Sequence, residues 1–353
     1  MAKKIRTAVV GVGNCCSALV QGVTYYSRRT PNVFPYEKIG GYLPSDIEFV
    51  AAFDIDSRKV DRDLSEAIFS PPNNAPKSCD VPWLNVRVSK GPVLDGTSGL
   101  LGEIFEASPE PDADVSQTLE SVKAEVVVNL LPTGCDRASI FYMEEALKAG
   151  CAFINATPTS MASDPEICRA FEKASLPIAG DDVMSQIGGT ILHKNLLEFL
   201  AMRGVKILNS YQLDVGGGAE NLNTLDEDRK ALKGRIKSSA VKGPARYDAQ
   251  IVTGTTDYVD FMNNRRASYF WIDGRYYLDT EVQIDICLRS MDAANSGTII
   301  IDAIRATKLA LERRIGGPLT SLSAYAFKNP PVKASIRDAE NWFRGFIEGR
   351  RDR

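Results

Sequence analysis

The stretch Ile5-Arg6-Thr7-Ala8-Val9-Val10-Gly11-Val12-Gly13-Asn14-Cys15-Cys16-Ser17 decides how the rest of the chain is read. Ile5–Val10 is a short apolar run that reads as a buried strand, and a helix is expected from Ser17 to about residue 26. Strand, glycine turn and helix in that order turn a weak glycine motif into a dinucleotide fingerprint. Gly11 permits the tight turn, and Gly13 lets backbone approach a pyrophosphate. The third position is Cys16 where glycine or alanine is usual, so helix and strand are expected to pack slightly wider. An ordinary glycine turn between two elements is the alternative.

Working outward, the run Ile47–Asp54 is a second strand that ends in a carboxylate, where the ribose-binding acid of such folds belongs. Asp54 lies further from Gly13 than the usual spacing of roughly 20 residues, and the segment 28–46 accounts for the excess as an inserted loop. An acid there favours NAD over NADP, though Asp56 and Arg58 follow closely. Segments 70–82 and 91–113 read as irregular, with a short helical piece near 100–107. A buried strand at 124–131 ends in Pro132-Thr133-Gly134, and a helix at 138–149 follows. The strand Ala152–Asn155 ends in Ala156-Thr157-Pro158-Thr159-Ser160, and helix 164–174 leads to the strand 176–179. Next comes Gly180-Asp181-Asp182-Val183-Met184-Ser185-Gln186-Ile187-Gly188-Gly189-Thr190, two carboxylates and three glycines at a strand-to-helix turn. That turn reads either as an anion site or as a plain helix cap by Asp181 or Asp182. Strands that end in polar turns at Gly11, Asp54, Asn129, Asn155 and Asp181 predict an α/β fold with a Rossmann-like, doubly wound parallel sheet.

Beyond a helix at 191–203 the pattern changes. Residues 205–214 alternate like a half-exposed strand, Gly216 to Asn221 form a glycine turn, and 226–237 read as a charged helix. Strands are expected at 251–253, 267–272 and 276–286, with a turn at Asp273-Gly274. This block reads as a second α+β domain with a mostly antiparallel sheet, one face of which packs on another subunit. A helix at 295–314, ended by Gly316-Gly317-Pro318, returns to the first domain. The expected division is 1–195 plus 295–353 for the nucleotide-binding domain and 196–294 for the catalytic and oligomerisation domain.

A chain of 353 residues has room for two domains. Its 42 Lys+Arg balance 45 Asp+Glu, so nothing favours nucleic acid or a membrane surface. No run of about 18 apolar residues and no signal peptide is found. Seven scattered cysteines without a CxxC pair or zinc spacing point to a reduced, cytoplasmic chain with no metal site. The single histidine, His193, sits in an apolar helix and reads as structural. Acid–base work then falls to Lys, Asp, Glu, Tyr or a substrate phosphate.

Taken together, Gly11-Val-Gly-Asn-Cys-Cys-Ser with Leu19-Val-Gln-Gly22-Val, then Gly180-Asp-Asp, Asp214-Val-Gly-Gly, and Asn295-Ser-Gly-Thr-Ile-Ile-Ile-Asp302-Ala-Ile-Arg resemble the bacterial myo-inositol-1-phosphate synthases, in order from about residue 5 to Pro331. The resemblance implies an NAD domain, a smaller domain whose sheet builds a homotetramer, and a redox-neutral reaction on a sugar phosphate. In that reaction carbon 5 of glucose 6-phosphate is oxidised, the carbon 6 enolate attacks the aldehyde, and the hydride is returned. It also implies cofactor contacts at Gly11, Gly13, Asn14, Cys15, Cys16, Asp54, Pro132, Thr133, Gly134, Thr157, Pro158, Asp181 and Asp182. The catalytic residues it implies are Lys233, Lys237, Asp182, the cation at Arg266, and Asp302 as an acid that positions a lysine. Sugar contacts are implied at Ser185, Gln186, Asp214, Gly217, Gly218, Asn221 and Asn295.

Three positions depart from the family pattern. Met184 stands where a lysine is usual, Arg266 where another lysine is expected, and Gly216-Gly217-Gly218-Ala219-Glu220 where Gly-Gly-Asn-x-Asp is usual. Methionine carries no proton, and arginine keeps its charge. The leading expectation is therefore an NAD-dependent carbocyclase acting on a hexose 6-phosphate, with two versions. One takes fructose 6-phosphate to a five-membered cyclitol phosphate of the kind needed for carbocyclic nucleosides. The other makes inositol phosphate from glucose 6-phosphate. A sugar-phosphate dehydrogenase with net NADH formation and a catalytically lost NAD-binding regulator are the remaining readings.

Overall fold

In the computed structural model, which describes residues 3–27, 33–97, 99–243 and 248–353, the opening stretch forms β1 (Ile5–Val10), a turn, and α1 (Asn14–Ser27). There follow β2 (Ile47–Asp54), α2 (Leu64–Ala67), β3 (Val88–Lys90), α3 (Val115–Ser121), β4 (Val126–Asn129), α4 (Asp136–Lys148), β5 (Ala152–Asn155), α5 (Pro165–Lys173) and β6 (Pro177–Ala179). The second sheet uses β7 (Lys206–Gly216), β8 (Gln250–Tyr258), β9 (Arg265–Arg275) and β10 (Glu281–Met291). Around it lie α6 (Gly189–Met202), α7 (Ala219–Asn223) and α8 (Glu227–Lys242). The chain then runs through α9 (Asp292–Glu312), β11 (Gly317–Pro318), α10 (Thr320–Ala326) and α11 (Ile336–Ile347). Residues 28–32 of the expected inserted loop lie outside the described residues.

The larger sheet has seven parallel strands in the order β11-β6-β5-β4-β1-β2-β3. Val10 pairs with Phe53 on one side and Asn129 on the other, so strand order reverses at β1. A crevice opens beyond the strand ends at such a switch point. Helices cover both faces. On one face α1 and α9 bring Leu19, Val20, Ile299, Ile300, Ile301 and Ile304 onto Val9, Val128 and Ile154. On the other, Tyr142, Met143 and Phe171 pack on Phe53, Val127 and Phe153. Each fully buried isoleucine or leucine contributes about 1.5–3 kcal/mol. The sheet edges β3 and β11 were not expected, because runs of three and two residues carry no readable alternation.

The smaller sheet runs β10-β9-β7-β8, mostly antiparallel as expected, and corrects one turn. Two of its pairings are antiparallel, but β7 and β8 are parallel, because α8 crosses over from the end of one to the start of the other. Asp273-Gly274 is no turn: both residues lie inside β9, paired with Gln283 and Val282 on one side and Asn209 and Ile207 on the other. The hairpin tip is Tyr276 to Thr280, where Leu278 and Asp279 take positive φ. The expected division at 195/196 falls within α6, whose Leu197 and Leu200 pack with Ile207, Val241 and Ile272. After β11 the chain closes back on the larger sheet, with Tyr325 stacked on Phe343 at 4.4 Å. No helix among the described residues is long and apolar enough to cross a membrane.

Candidate active site

A single cleft runs along the carboxyl edge of the larger sheet and ends against the smaller one. Gly11 holds φ +86°, and a Cβ there would lie 3.0 Å from the Leu130 carbonyl oxygen. Gly13 has open space where its Cβ would be, so its backbone faces the cleft as a pyrophosphate would require. Helix α1 starts at the next residue and turns its free N–H groups the same way. Asp54 ends β2, and its carboxylate accepts the N–H groups of Val12 (2.7 Å), Ile55 (2.8 Å) and Asp56 (3.0 Å). The cation beside Asp54 is the buried Lys59, 3.8 Å away, whereas Arg58 is taken up by Asp56 and the Ile104 carbonyl. Cys15, Pro132, Thr133, Thr157 and Pro158 also line this end. These groups fit a dinucleotide: an open glycine loop, a helix start, a ribose-height acid and an apolar slot formed with Leu101 and Phe105.

At the far end, Asp182 is buried and its Oδ1 accepts from Lys328 (2.8 Å) and Lys233 (3.3 Å). Burial opposes its ionisation, but the two ammonium groups outweigh it and hold the carboxyl below its ordinary value. Its Oδ2 has no hydrogen-bond partner among the described residues. Burial, together with the charges on Lys233 and Lys237, pushes Lys328 down to about 8 despite Asp182. Lys233 moves the other way, because Asp182 and Glu220 overcome the cost of burial. The spacing of Lys233 and Lys237, four residues apart, puts both on one face of α8. Lys237 donates to Asp214 (2.6 Å), and Ser268 (2.6 Å) and Gln212 (3.0 Å) complete that carboxylate's shell. Burial notwithstanding, Lys237 and Arg266 hold Asp214 well below the usual carboxylate range. Arg266 pairs with Asp292 (2.8 Å) and Asn221 (3.0 Å). Ser185, Gly188, Gly189 and Asn295 form a recess beside Lys237, Arg266 and Lys328 at the start of α6, whose N-cap, Gly188, offers no side chain to the helix.

The structure thus brings Asp182, Ser185, Asp214, Gly218, Lys233, Lys237, Arg266 and Asn295 together. Other expected site residues are placed elsewhere. Asp181 is fully buried and turned back into the fold, where it accepts from Asn155 (2.7 Å) and the N–H groups of Met161 and Ala162. Burial pushes it up to about 7 in spite of those donors. Asp302 meets no lysine: it pairs with Arg305 (2.5 Å), which clamps the carbonyls of Tyr36, Glu37 and Tyr42. Cys16 is buried in the α1 core, and Gly134 backs onto Arg229 and not the cleft. Gly217 and Asn221 lie behind the cleft lining, the Gly217 carbonyl accepting from Asn74 and Asn221 Oδ1 from Arg266, and the Gln186 side chain donates to the Met184 carbonyl; Asn14 does line the cleft, its Oδ1 accepting the N–H groups of Asn74 and Ala75. Met184 is 3% exposed and lines a separate small cavity with Lys194, Phe327, Lys328 and Lys333.

Sequence reasoning missed Lys328, Glu220, Asp292 and Lys59. Glu220 accepts from the Thr133 hydroxyl, Asn223 (3.2 Å) and Lys233 (3.4 Å), tying the glycine turn to the cofactor-side loop. The only local signal for Lys328 is its position between a short helix and Asn329-Pro330-Pro331.

A glycine-loop cleft that ends in a cluster of amines and carboxylates defines an enzyme on a nucleotide-binding fold. Residues 188–293 match the family model described as myo-inositol-1-phosphate synthase. The inositol-3-phosphate synthase of Mycolicibacterium smegmatis is 40% identical over 359 residues, covering 99% of both chains. The crystal structure of Ari2 superposes with a TM-score of 0.80 at 30% identity, covering 98% of this chain and 99% of that one. A myo-inositol-1-phosphate synthase-related protein from Thermotoga maritima MSB8 shares the fold, with a TM-score of 0.83 at 22% identity over 98% of each chain. The chain belongs to the inositol-3-phosphate synthase family of NAD-dependent intramolecular cyclising enzymes.

Proposed function

We propose that the protein binds NAD along the glycine-loop cleft and cyclises fructose 6-phosphate, without net redox change, to a five-membered cyclitol phosphate. The observation that carries the reading is the buried Asp182 shared by Lys233 and Lys328, with Lys328 brought to about 8. Bound along the glycine loop and Asp54, NAD would supply the hydride acceptor and the means of returning the hydride after ring closure. The chain's residues and the substrate phosphate do the rest. Neutral Lys328, held in place by Asp182, takes the proton of the carbon 5 hydroxyl as the hydride leaves carbon 5, and gives it back when the hydride returns. The substrate phosphate takes the carbon 6 proton, and the enolate forms beside the ammonium of Lys233. Carbon 6 then attacks the carbon 2 ketone, closing a ring of five carbons, and the new alkoxide lies against Lys237 and Arg266. The start of α6, with Ser185 and the neighbouring cations, suits the phosphate.

Gly218 supports the altered substrate. Its φ is an ordinary −81°, and an added Cβ would meet nothing closer than 3.9 Å, so neither strain nor crowding requires glycine there. The position leaves room in the cleft wall for a ketose substituent. The second reading, glucose 6-phosphate closed to inositol phosphate, is favoured by the 40% identity to inositol-3-phosphate synthases. Incubating the enzyme and NAD with each sugar phosphate separately, and determining the product's carbon skeleton, decides between them. Inositol phosphate from glucose 6-phosphate alone overturns the five-ring reading, and NADH accumulating with product overturns both.

We also infer a homotetramer, built on the outer face of the smaller sheet, where Val252 and Tyr269 are exposed. Residues 1–195 with 295–353 would form the NAD unit and 196–294 the catalytic and assembly unit, in a cytoplasmic enzyme. Light scattering coupled to size exclusion reads the mass, and a monomer overturns the tetramer.

A further inference from the structure

Between the two ends of the cleft lies a side chain that belongs to neither. Asn74 sits in the loop after α2. Its Oδ1 accepts from Asn14 Nδ2 (3.0 Å) and from Asn264 Nδ2 (3.1 Å), and its own Nδ2 donates to the Gly217 carbonyl (2.9 Å). One amide therefore joins three segments that are remote in sequence. Asn14 opens α1 at the glycine loop. Gly217 follows β7 and precedes α7, which carries Glu220 and Asn221. Asn264 precedes β9 and caps α9, its Oδ1 accepting from the Ala293 N–H (2.9 Å) and its carbonyl from the Asp292 N–H (2.9 Å). Asp292 in turn pairs with Arg266.

We propose that Asn74 is a positioning residue that couples occupancy of the glycine loop to the alignment of the sugar-side groups on α7, β9 and α9. The inference rests on the reading that NAD occupies the glycine-loop cleft. The chemistry singles out asparagine: the position needs an acceptor for two donors and a donor for one carbonyl, from a single short planar group. Asparagine 14 does not depend on this side chain alone, since its Oδ1 also accepts the backbone N–H groups of Asn74 and Ala75, both at 2.8 Å. The neighbouring Asn73 independently pins the Val12 carbonyl (2.9 Å). Loss of the Asn74 amide thus leaves the glycine loop built and disconnects it from the sugar side.

The test is hydrogen–deuterium exchange of the full chain with and without NAD, for wild type, Asn74→Ala and Asn74→Asp, beside NAD titrations. In wild type, NAD slows exchange in the glycine loop and also in 217–221 and 264–266 with 292–296. Asn74→Ala keeps NAD affinity within about threefold and protection of the glycine loop, and loses protection in both remote segments. Asn74→Asp retains the two accepted bonds and loses the donated one, so protection at 264–266 and 292–296 survives while that at 217–221 goes. On whichever sugar phosphate turns over, Asn74→Ala lowers kcat roughly 10–100-fold with little change in the NAD requirement, the scale expected of a small misplacement of reacting groups. Remote protection unchanged in Asn74→Ala overturns the coupling alone. NAD affinity falling in step with protection everywhere makes Asn74 a part of the cofactor loop and also overturns it. Wild type that binds no NAD overturns the cofactor reading together with the coupling.

Discussion

The two ends of the cleft are built from different materials. The cofactor end is mostly backbone: Gly11 and Gly13, the start of α1, and three N–H groups that fix Asp54. This framework comes from one β-α-β passage, and the loops after β4 and β5 add Pro132, Thr133, Thr157 and Pro158 to the wall. The sugar end is side chains, and it draws Asp182, Lys233, Lys237, Arg266, Asp292 and Lys328 from five separate stretches. Backbone geometry tolerates substitution around it, whereas a site of converging side chains changes its chemistry with each replacement. The departures at 184, 218, 220 and 266 all fall at or beside the sugar end.

The largest expected break between the ends is Lys328→Met. It removes the buried amine that burial and its neighbours bring to about 8, and kcat should fall about 10²–10⁴-fold, the usual worth of a positioned acid–base group. NAD affinity by titration should be unmoved; a parallel loss of NAD binding would mean the ends are not separable. The converse is Asp54→Asn, which keeps the shape of the acid and removes its charge. NAD binding should weaken by about 1.5–3 kcal/mol, roughly 10–100-fold, with kcat at saturating NAD nearly intact.

Gly218→Asn refills the opening in the wall. It should shift the ratio of kcat/KM for fructose 6-phosphate over glucose 6-phosphate towards glucose 6-phosphate by roughly 10-fold, within the range a pocket contact discriminates. An unchanged ratio takes away the main support for a ketose. The smallest effect is in pH. With the neutral amine of Lys328 as the proposed base, hydride transfer in a single turnover, read as transient nicotinamide absorbance, should rise with pH through about 8. Met184→Lys places another ammonium beside Lys328 and should move that rise to lower pH, because like charges favour the neutral amine. A rise that stays put would place residue 184 outside the chemistry.

How far each end was legible in the sequence follows from the same contrast. The strand–glycine–helix passage is local, so the runs Ile5–Val10, Ile47–Asp54 and Ala152–Asn155 were readable as strands to the residue. The parallel β7–β8 pair was not, because pairing direction depends on where α8 crosses and leaves no mark on the strands themselves. Asp273-Gly274 looked like a turn because its composition is that of a turn, yet ladders on both sides hold it extended. Lys328 was invisible for a related reason. A lone lysine before two prolines says nothing until β11 and α10 carry it back to Asp182. Local sequence did not separate Asp181 from Asp182, and only the resemblance singled out Asp182; in the fold Asp181 faces inward to hold a loop and Asp182 faces the cleft. Asp302 shows the limit of carry-over: the residue is present, but Arg305, three positions on, claims it.

The helical placement of Lys233 and Lys237 has a consequence for how chains of this kind can change length. Each residue along α8 turns the next by about 100°, so deleting or inserting one residue between the two lysines swings the second away from Asp214 and out of the cleft. Strand β8, which follows α8 after residues 243–249, is held in parallel register with β7 and sets a second constraint on the segment. The hairpin tip at Tyr276–Thr280 has neither constraint, being exposed and remote from the cleft lining. Variation in length is therefore free at that tip and forbidden in α8, where the chemistry can be altered only by exchanging one side chain for another.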